Sequence, residues 1–277
     1  MSTSVWPYQD PQKLLICTTG GRDNVYIDNI QYDGLLQPQA PVFLTFGDDD
    51  TTLWDSAIEP TTGTDAAIAT SNELIHLSMD GRVLGQITNS PESRAIDWLN
   101  PTTIVAGTAK NVVLWDTRAG GAAQRFAHPG TITGLQTVPG TGGTQVLVSS
   151  NHKLSLYDVR MAKKDRDRSL LSFPILHESP QLPFSVSAQH LVAAATKQGA
   201  KNIVQMFSLR TGREVRTLKP PESLKDGSRI PSQLAWREDE RGTTYLQACI
   251  GDRIVKWCWE DYFEDVTTAD EYLKNLK

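Results

Sequence analysis

An arginine recurs at one position after short apolar stretches of this sequence. The stretches NVVLWDTR at 111–118 and KLSLYDVR at 153–160 both end in Asp-x-Arg, whereas IVQMFSLR at 203–210 keeps only the arginine. The arginine guanidinium is planar, permanently charged and carries five donors, so it suits bidentate pairing with carboxylates. The pattern therefore points to carboxylate recognition at a protein surface.

Two interpretations of these arginines remain open. Arg118, Arg160 and Arg210 each follow an aromatic residue by three positions, so they emerge at equivalent places if the stretches are repeated strands. Either they face a partner protein, or each pairs with the aspartate of its own repeat or with a neighbouring loop. Arg210 departs from the pattern because Ser208 stands in the place of the aspartate. Three arginines in one register favour the partner surface.

These stretches belong to a longer internal repeat. The segment IVAGTAKNVVLWDTR at 104–118 aligns without a gap with VLVSSNHKLSLYDVR at 146–160. Small residues near the start of each segment, such as Gly107, allow packed strands to approach closely. The alternation that follows places every second side chain, such as Leu154 and Leu156, on one face of a strand.

The repeat predicts an all-β fold. Its aromatic or apolar marker recurs at Ile27, Leu77, Trp115, Tyr157, Phe207 and Trp257. A repeat of about 40–45 residues with four short strands is typical of the blades of a β-propeller. Alternating segments that fit the flanking strands lie at 82–88, 94–99, 121–126, 131–138 and 213–218.

We expect one propeller domain over residues 1–277, with six to seven four-stranded blades and a short helical tail at 264–277. The first repeat is poorly formed. Either a further blade lies near the N-terminus, or the chain starts partway into the propeller. The segment VWPYQDP at 5–11 is a candidate for the strand that completes the last blade.

Composition and charge narrow the class of protein. Hydrophobic residues make up 39% of the 277 residues and charged residues 21%, which is typical of soluble globular proteins. A net charge of −5 gives no reason to expect nucleic-acid binding. No apolar run reaches about 20 residues, so no membrane span is predicted. Three scattered cysteines fit free thiols, and we predict an intracellular protein of the nucleus or cytoplasm.

Catalytic and metal-binding patterns are scarce. The five histidines have no metal-ligand spacing, and the sequence contains neither a GxSxG nor a GxxxxGK[ST] motif. His128 is expected to be structural in its turn. The acidic stretch FGDDDTT at 46–52 is predicted to be a solvated loop rather than a cation site. We therefore predict no enzyme, no metal and no cofactor.

The strand ends resemble the WD-repeat family. The stretch LWDTR at 114–118 contains the closing dipeptide of that family, and AHPGTITGL at 127–135 stands where its Gly-His opens the next repeat. Ala127 replaces the glycine, and Ala109 and Asn151 replace the aspartate usual between the second and third strands. The resemblance implies a WD-repeat propeller that serves as a protein-interaction scaffold.

The same residues resemble the WDxR submotif of substrate receptors of cullin-4 RING ubiquitin ligases. The matching residues are Trp115, Asp116, Arg118, Tyr157, Asp158 and Arg160. The segment at 207–236 is similar to the last repeats of the cullin-4-associated factor number four group. The resemblance implies that these residues, with Arg210, bind the ligase's triple-propeller adaptor, while another surface recruits an unknown substrate.

A different interpretation stays open beside this one. The chain is then a generic WD-repeat scaffold of another intracellular complex, in RNA processing or trafficking, and WDxR is a strand-end pattern only. A third class, an enzyme with its site at the mouth of the propeller, lacks any catalytic constellation in the sequence. Binding of the adaptor separates the first two interpretations.

Overall fold

The fold consists of β-strands in every part of the chain that the structure, a computed structural model, describes. The described residues are 2–7, 13–20, 24–31, 42–45, 51–88, 92–150, 153–162, 168–175, 182–198, 201–219, 231–238, 242–251, 253–258 and 264–268. None of these segments forms a helix long and apolar enough to cross a membrane.

The described strands form six four-stranded antiparallel sheets, numbered 1 to 6 along the chain, and each sheet takes four consecutive strands. Sheet 1 contains β1 (Ser2–Pro7), β2 (Lys13–Gly20), β3 (Asn24–Gln31) and β4 (Val42–Thr45). Sheet 2 contains β5 (Leu53–Ile58), β6 (Asp65–Thr70), β7 (Leu74–Ser78) and β8 (Val83–Ile87). Sheet 3 contains β9 (Ser93–Asn100), β10 (Thr103–Thr108), β11 (Asn111–Asp116) and β12 (Ala122–Ala127).

The second half of the chain repeats this arrangement. Sheet 4 contains β13 (Ile132–Thr137), β14 (Gln145–Ser150), β15 (Lys153–Asp158) and β16 (Leu171–Phe173). Sheet 5 contains β17 (Phe184–Val186), β18 (Leu191–Gln198), β19 (Lys201–Ser208) and β20 (Glu214–Leu218). Sheet 6 contains β21 (Gln233–Glu238), β22 (Thr244–Ile250), β23 (Arg253–Cys258) and β24 (Glu264–Thr268). The first strand of each sheet contacts the first strand of the next, from β1 and β5 to β17 and β21, so the first strands are innermost.

The predicted repeat is confirmed in its register. All six marker positions lie on the third strand of a sheet, on β3, β7, β11, β15, β19 and β23. The five flanking segments predicted from alternation correspond to β8, β9, β12, β13 and β20. The sequence repeat is therefore a structural repeat of one sheet.

Two expectations about the ends of the chain are wrong. The segment at 5–11 does not complete the last sheet, because Val5 of β1 pairs with Ile16 of β2 in sheet 1. Residues 264–268 of the predicted helical tail form a strand, in which Val266 pairs with Val255. The sequence EDVTT is rich in β-branched residues, which favour pairing with the edge of β23 over a helix. The rest of the predicted tail lies outside the described residues.

The core lies in apolar layers between consecutive sheets. In β15, Leu154 and Leu156 face sheet 5, as the alternation predicts, and share a buried cluster with Phe207. Tyr157 faces the opposite way, towards sheet 3, where its ring lies 5.2 Å from that of Phe126. The third strands β7, β11 and β15 are buried on both faces, which explains why their markers are large and apolar.

Side chains on the inner strands bind the backbone of the next inner strand. Four hydrogen bonds of this kind are donated from Ile96 N to Asp55 Oδ2 (3.0 Å), from Thr137 N to Asp97 Oδ2 (2.7 Å), from Val186 N to Gln136 Oε1 (3.1 Å) and from Trp236 N to Ser185 Oγ (3.3 Å). They join sheets 2 to 6 in sequence around a central cavity of about 460 Å³. These bonds satisfy four backbone N–H groups on the inner edges, which have no further strand to pair with.

Candidate protein-docking surface

The ends of the third strands lie beside the turns that join the first and second strands. Thr117 N donates to Thr102 O at 2.9 Å in sheet 3, and Val159 N donates to Thr144 O at 2.9 Å in sheet 4. In sheet 5, Leu209 N donates to the carbonyl of the corresponding turn at 2.9 Å. The predicted polar residues therefore lie where the third strands end, on the same side of successive sheets. We name this surface the arginine edge and define it by Asp116, Arg118, Asp158, Arg160 and Arg210.

Arg118 pairs with the aspartate of its own sheet. Its Nε donates to Asp116 Oδ1 at 2.9 Å and its Nη2 donates to Asp116 Oδ2 at 2.7 Å. The backbone N of Arg118 also donates to Oδ1, at 3.0 Å. The carboxylate thus closes the turn and fixes the guanidinium, while 72% of the Arg118 side chain remains exposed.

Arg160 reproduces this geometry one sheet further on. Its Nε donates to Asp158 Oδ1 at 2.9 Å, and its Nη2 donates to Oδ2 at 2.6 Å. The Asp158 side chain is only 6% exposed, but 67% of the Arg160 side chain is exposed. Both arginines use the Nε–Nη2 side of the guanidinium for the aspartate, and the Nη1 donors have no partner among the described residues. Own-sheet pairing, one of the two open interpretations, is therefore present, and it leaves donors for a second partner.

The arginines change the acidity of their partners. Hydrogen bonding from the Arg118 side chain lowers the pKa of Asp116 to about 2, and hydrogen bonding from Arg160 lowers the pKa of Asp158. The pKa values of both guanidinium groups are raised in turn, first by the same hydrogen bonds. The four groups are therefore fully charged throughout the physiological range.

We expect the Arg118→Gln substitution to return the carboxyl of Asp116 towards its usual pKa of 3.8. Because the pKa is lowered on folding, the pair stabilises the fold above that usual value, and this contribution is lost as the pH falls through about 2. Carboxyl ¹³C NMR titration measures the midpoint directly. Arg210→Gln serves as the control and leaves Asp116 unchanged. A wild-type midpoint near 4 would contradict the pairing in solution.

Trp115 and Tyr157 do not take part in the surface. They are 2% and 0% exposed, so their side chains are not accessible to an adaptor, and this part of the predicted site is wrong. Trp115 Nε1 donates to Ala119 O at 3.4 Å, which supports the turn after Arg118. The Tyr157 hydroxyl lies 2.8 Å from Nδ1 of the buried His128, which is structural as expected. Trp115 and Tyr157 therefore support the arginine edge from the core.

Gln124 connects sheet 3 to the turn that carries Arg160, and the sequence motif does not reveal it. It lies on the outermost strand of sheet 3, and its Nε2 reaches across to sheet 4. There it donates to Val159 O at 3.3 Å and to Ala162 O at 3.4 Å. These carbonyls flank Arg160, so the turn that carries Arg160 is fastened to sheet 3.

The edge extends to sheet 2 in a modified form. Asp80 stands three residues after the marker Leu77, where later sheets have arginine, and Ser78 occupies the place of the aspartate. Arg82 Nε donates to Asp80 Oδ2 at 2.8 Å. The pKa of Asp80 falls to about 2, first through the Ser78 hydroxyl and then through Arg82. Sheet 2 thus carries a net-neutral Asp-x-Arg pair, which the repeat pattern did not reveal because it lies two residues later relative to the marker than in sheets 3 and 4.

Other predicted chemistry is absent from the described part of the chain or lies outside it. No group of three or more His, Cys, Asp or Glu side chains within the described residues is able to hold a metal ion. Residues 46–50 of the acidic stretch, His152 and His177 lie outside those residues. Cys249 and Cys258 are free thiols, as predicted.

Comparison with known proteins gives a match in structure but not in sequence. No protein-family model matches the chain, and no curated protein is similar to it in sequence. Many solved structures resemble it, among them a chain in the crystal structure of the mitotic checkpoint complex. That chain has a TM-score of 0.68 and 13% identity, over 92% of this chain and 76% of its own length. Together with the six repeated sheets, this likeness shows that the chain has the predicted all-β fold of four-stranded propeller blades.

Proposed function

We propose that this protein is a non-catalytic interaction scaffold that docks through its arginine edge on the adaptor of a cullin-4 RING ubiquitin ligase and acts there as a substrate receptor. The observation that carries the proposal is the identical pairing of Arg118 with Asp116 and of Arg160 with Asp158 on successive sheets. The substrate would bind at the opposite edge or at the mouth of the central cavity. This role places the protein in the nucleus or cytoplasm.

Preorganisation is the physical advantage of the two pairs. A free arginine side chain loses rotamer freedom when it binds, which costs about 0.5–1.5 kcal/mol per immobilised side chain. Asp116 and Asp158 already fix Arg118 and Arg160, so this cost is met during folding. The outward Nη1 donors are then available to carboxylates or carbonyl groups of a partner.

Apolar side chains beside Arg160 supply the other component of an interface. Met161 and Leu170 are large apolar side chains that are 58% and 43% exposed. Met161 N donates to Asp158 O at 3.1 Å, and Leu170 N donates to Leu156 O at 2.7 Å, so both belong to the same edge. Protein interfaces combine an apolar centre with a polar surround, and arginine and methionine are enriched in them.

We expect the double substitution Arg118→Glu and Arg160→Glu to weaken binding to the purified cullin-4 adaptor by at least about 100-fold. Each substitution removes the donors of the arginine, and the new carboxylate repels acidic groups of the partner. Such repulsion costs several kcal/mol in charged interfaces. Titration calorimetry measures the affinity, and thermal melting shows whether the variant is folded. The double Arg118→Lys and Arg160→Lys variant keeps the charge but not the fork, and we expect intermediate affinity.

The matched control is Arg125→Glu, an exposed arginine in the middle of β12 and away from the edge. It makes the same charge change, and we expect wild-type affinity. Equal weakening by the control, or absence of binding by the wild-type protein, would overturn the proposal.

The own-sheet pairing itself favours a second candidate, a generic WD-repeat scaffold of an RNA-processing or trafficking complex. In that case Arg118 and Arg160 serve only to close their turns. Their replacement then alters the stability of the fold but not the association with a partner. The adaptor titration separates the two candidates.

A further inference from the structure

We infer that Arg210 and Arg213 of sheet 5 are the anion-accepting end of the arginine edge and take the carboxylates of an acidic peptide segment of the docking partner. The inference rests on the proposed function, because it takes the arginine edge as the docking surface. It adds which residues attract the partner and the chemistry of the segment they bind.

The charge balance of the edge singles out sheet 5. Arg82, Arg118 and Arg160 are each neutralised by an aspartate of the same turn, at 2.6–2.8 Å. Arg210 and Arg213 are exposed, and neither guanidinium makes an ion pair with any described residue. The turn after β19 therefore carries two arginines that no aspartate of the turn neutralises, unlike the turns of sheets 2, 3 and 4.

The remaining acidic group of this turn is already engaged. Glu214 Oε2 accepts a hydrogen bond from Gln205 Nε2 at 2.9 Å, and its Oε1 accepts one from the Thr217 hydroxyl. Both partners are uncharged and lie within β19 and β20, so Glu214 is held by the strands and is not paired with Arg210 or Arg213. Ser208 replaces the aspartate of sheets 3 and 4, and its Oγ accepts from Arg210 N at 3.2 Å. The serine closes the turn as the aspartate does, but without neutralising the arginine.

The turn that presents the two arginines is well defined. Ser208 N donates to Arg213 O at 3.0 Å, and Gly212 N donates to Ser208 O at 2.8 Å. Gly212 has a φ of +69°, a conformation that glycine adopts without strain. A Cβ placed on Gly212 would lie 3.4 Å from Leu171 of sheet 4. The turn therefore abuts the strand that follows the exposed Leu170, and the charged end is continuous with the apolar part of the edge.

The neighbouring turn of sheet 5 stores backbone strain. His190 has a φ of +60°, the one positive value outside glycine in the described part of the chain. Three contacts hold it there: His190 N donates to Ser187 O at 3.2 Å, His190 O accepts from Leu209 N at 2.9 Å, and Gln189 Nε2 donates to Thr244 Oγ1 of sheet 6 at 3.0 Å. Residues in this conformation cluster at ligand clamps, because only a well-supported site maintains them. His190 directly precedes β18 and lies next to Leu209, so the strained turn adjoins Arg210.

The chemistry of the surface specifies its occupant. The two guanidinium groups donate hydrogen bonds to two carboxylates of the partner. The exposed Met161 and Leu170 pack against an apolar side chain of the partner. The segment that complements them carries acidic residues next to a leucine-like residue. Complementary charge would raise the association rate as well as the affinity.

The test uses the full chain and the peptide Ac-Glu-Glu-Leu-Glu-Glu-NH₂ as the probe, with Ac-Gln-Gln-Leu-Gln-Gln-NH₂ as the neutral control. We expect the ¹H–¹⁵N signals of the Arg210 and Arg213 side chains to shift saturably with the acidic peptide only. Those of Arg118 and Arg160 should move less, because their Nε–H groups already donate to aspartate. Equal shifts at all four arginines, or none at Arg210 and Arg213, would overturn the inference.

Variants complete the test. The double Arg210→Gln and Arg213→Gln variant is expected to bind the acidic peptide at least tenfold more weakly, whereas Arg253→Gln, at the start of β23 on the opposite edge, retains wild-type affinity. The same variants are titrated with the adaptor. Peptide binding without adaptor binding refutes the ligase role and supports the acidic-segment site. Adaptor binding that is insensitive to Arg210 and Arg213, without peptide shifts, refutes the inference and leaves the ligase role standing.

Discussion

Replacement of Asp97 by alanine is expected to lower the free energy of unfolding by about 3 kcal/mol. The carboxylate accepts two hydrogen bonds from Thr137 of the next sheet, from its N at 2.7 Å and from its Oγ1 at 2.8 Å, and a third from Trp98 N at 2.8 Å. Alanine leaves the inward-facing Thr137 N–H without an acceptor. Urea denaturation of the full chain measures the loss.

A matched substitution separates the role of the carboxylate from the loss of a side chain. Gln136→Ala removes one inter-sheet bond, from Val186 N at 3.1 Å, and we expect a loss of about 1 kcal/mol. If Asp97→Ala were no more costly than Gln136→Ala, the additional hydrogen bonds of Asp97 would not contribute to stability.

Acidity gives a second readout for Asp97. Burial raises the pKa of its carboxyl, although the hydrogen bonds from Thr137 and Trp98 oppose the shift. A raised carboxyl pKa in the fold means that the protonated form is favoured there, so Asp97 contributes most to stability at low pH and loses this contribution as the pH rises through the raised value. We therefore expect the wild type to gain stability relative to Asp97→Asn as the pH falls from about 7 towards about 4.

The fold was predictable from sequence because its unit is local. Each third strand combines an alternating apolar run with a large marker, and Trp115, Tyr157 and Phe207 are buried for this reason. The inner-strand bonds were not predictable. Asp97 is visible as a charge within the apolar strand RAIDWL, but its partner Thr137 lies 40 residues away, and only the packing of two sheets brings them together.

The candidate site was predictable in position but not in its contacts. The register of Arg118 and Arg160 places them on one edge, because every third strand ends there. Their pairing with Asp116 and Asp158 stayed open, since residues two apart at a strand end face each other only when the turn is tight. Gln124 was missed because its contacts cross from one sheet to the next.

Gly107→Ala is expected to destabilise the fold by about 2–3 kcal/mol, the upper part of the range for overpacking of a well-filled core. Gly107 lies on β10, at the small-residue position of the sequence repeat, and faces the inner strand of sheet 4. A Cβ at this position would lie 2.3 Å from Cγ2 and 2.9 Å from Cβ of the fully buried Ile132. Because Ile132 is anchored in β13, the two sheets have to move apart, and urea denaturation measures the cost.

The control and the partner test follow from the same geometry. Gly120→Ala places its Cβ in open space, with no atom within 4 Å, so we expect stability within about 0.5 kcal/mol of the wild type. Ile132→Ala removes the Cγ2 atom that the methyl group added by Gly107→Ala would strike, so the double variant should lose less than the sum of the two single variants, by about 1 kcal/mol. If the losses of stability of the two single variants were additive, the contact with Ile132 would not be the reason why position 107 requires glycine. Favourable coupling would establish that the glycine of the repeat sets the spacing between sheets 3 and 4 at this end of the strands, opposite to the arginine edge.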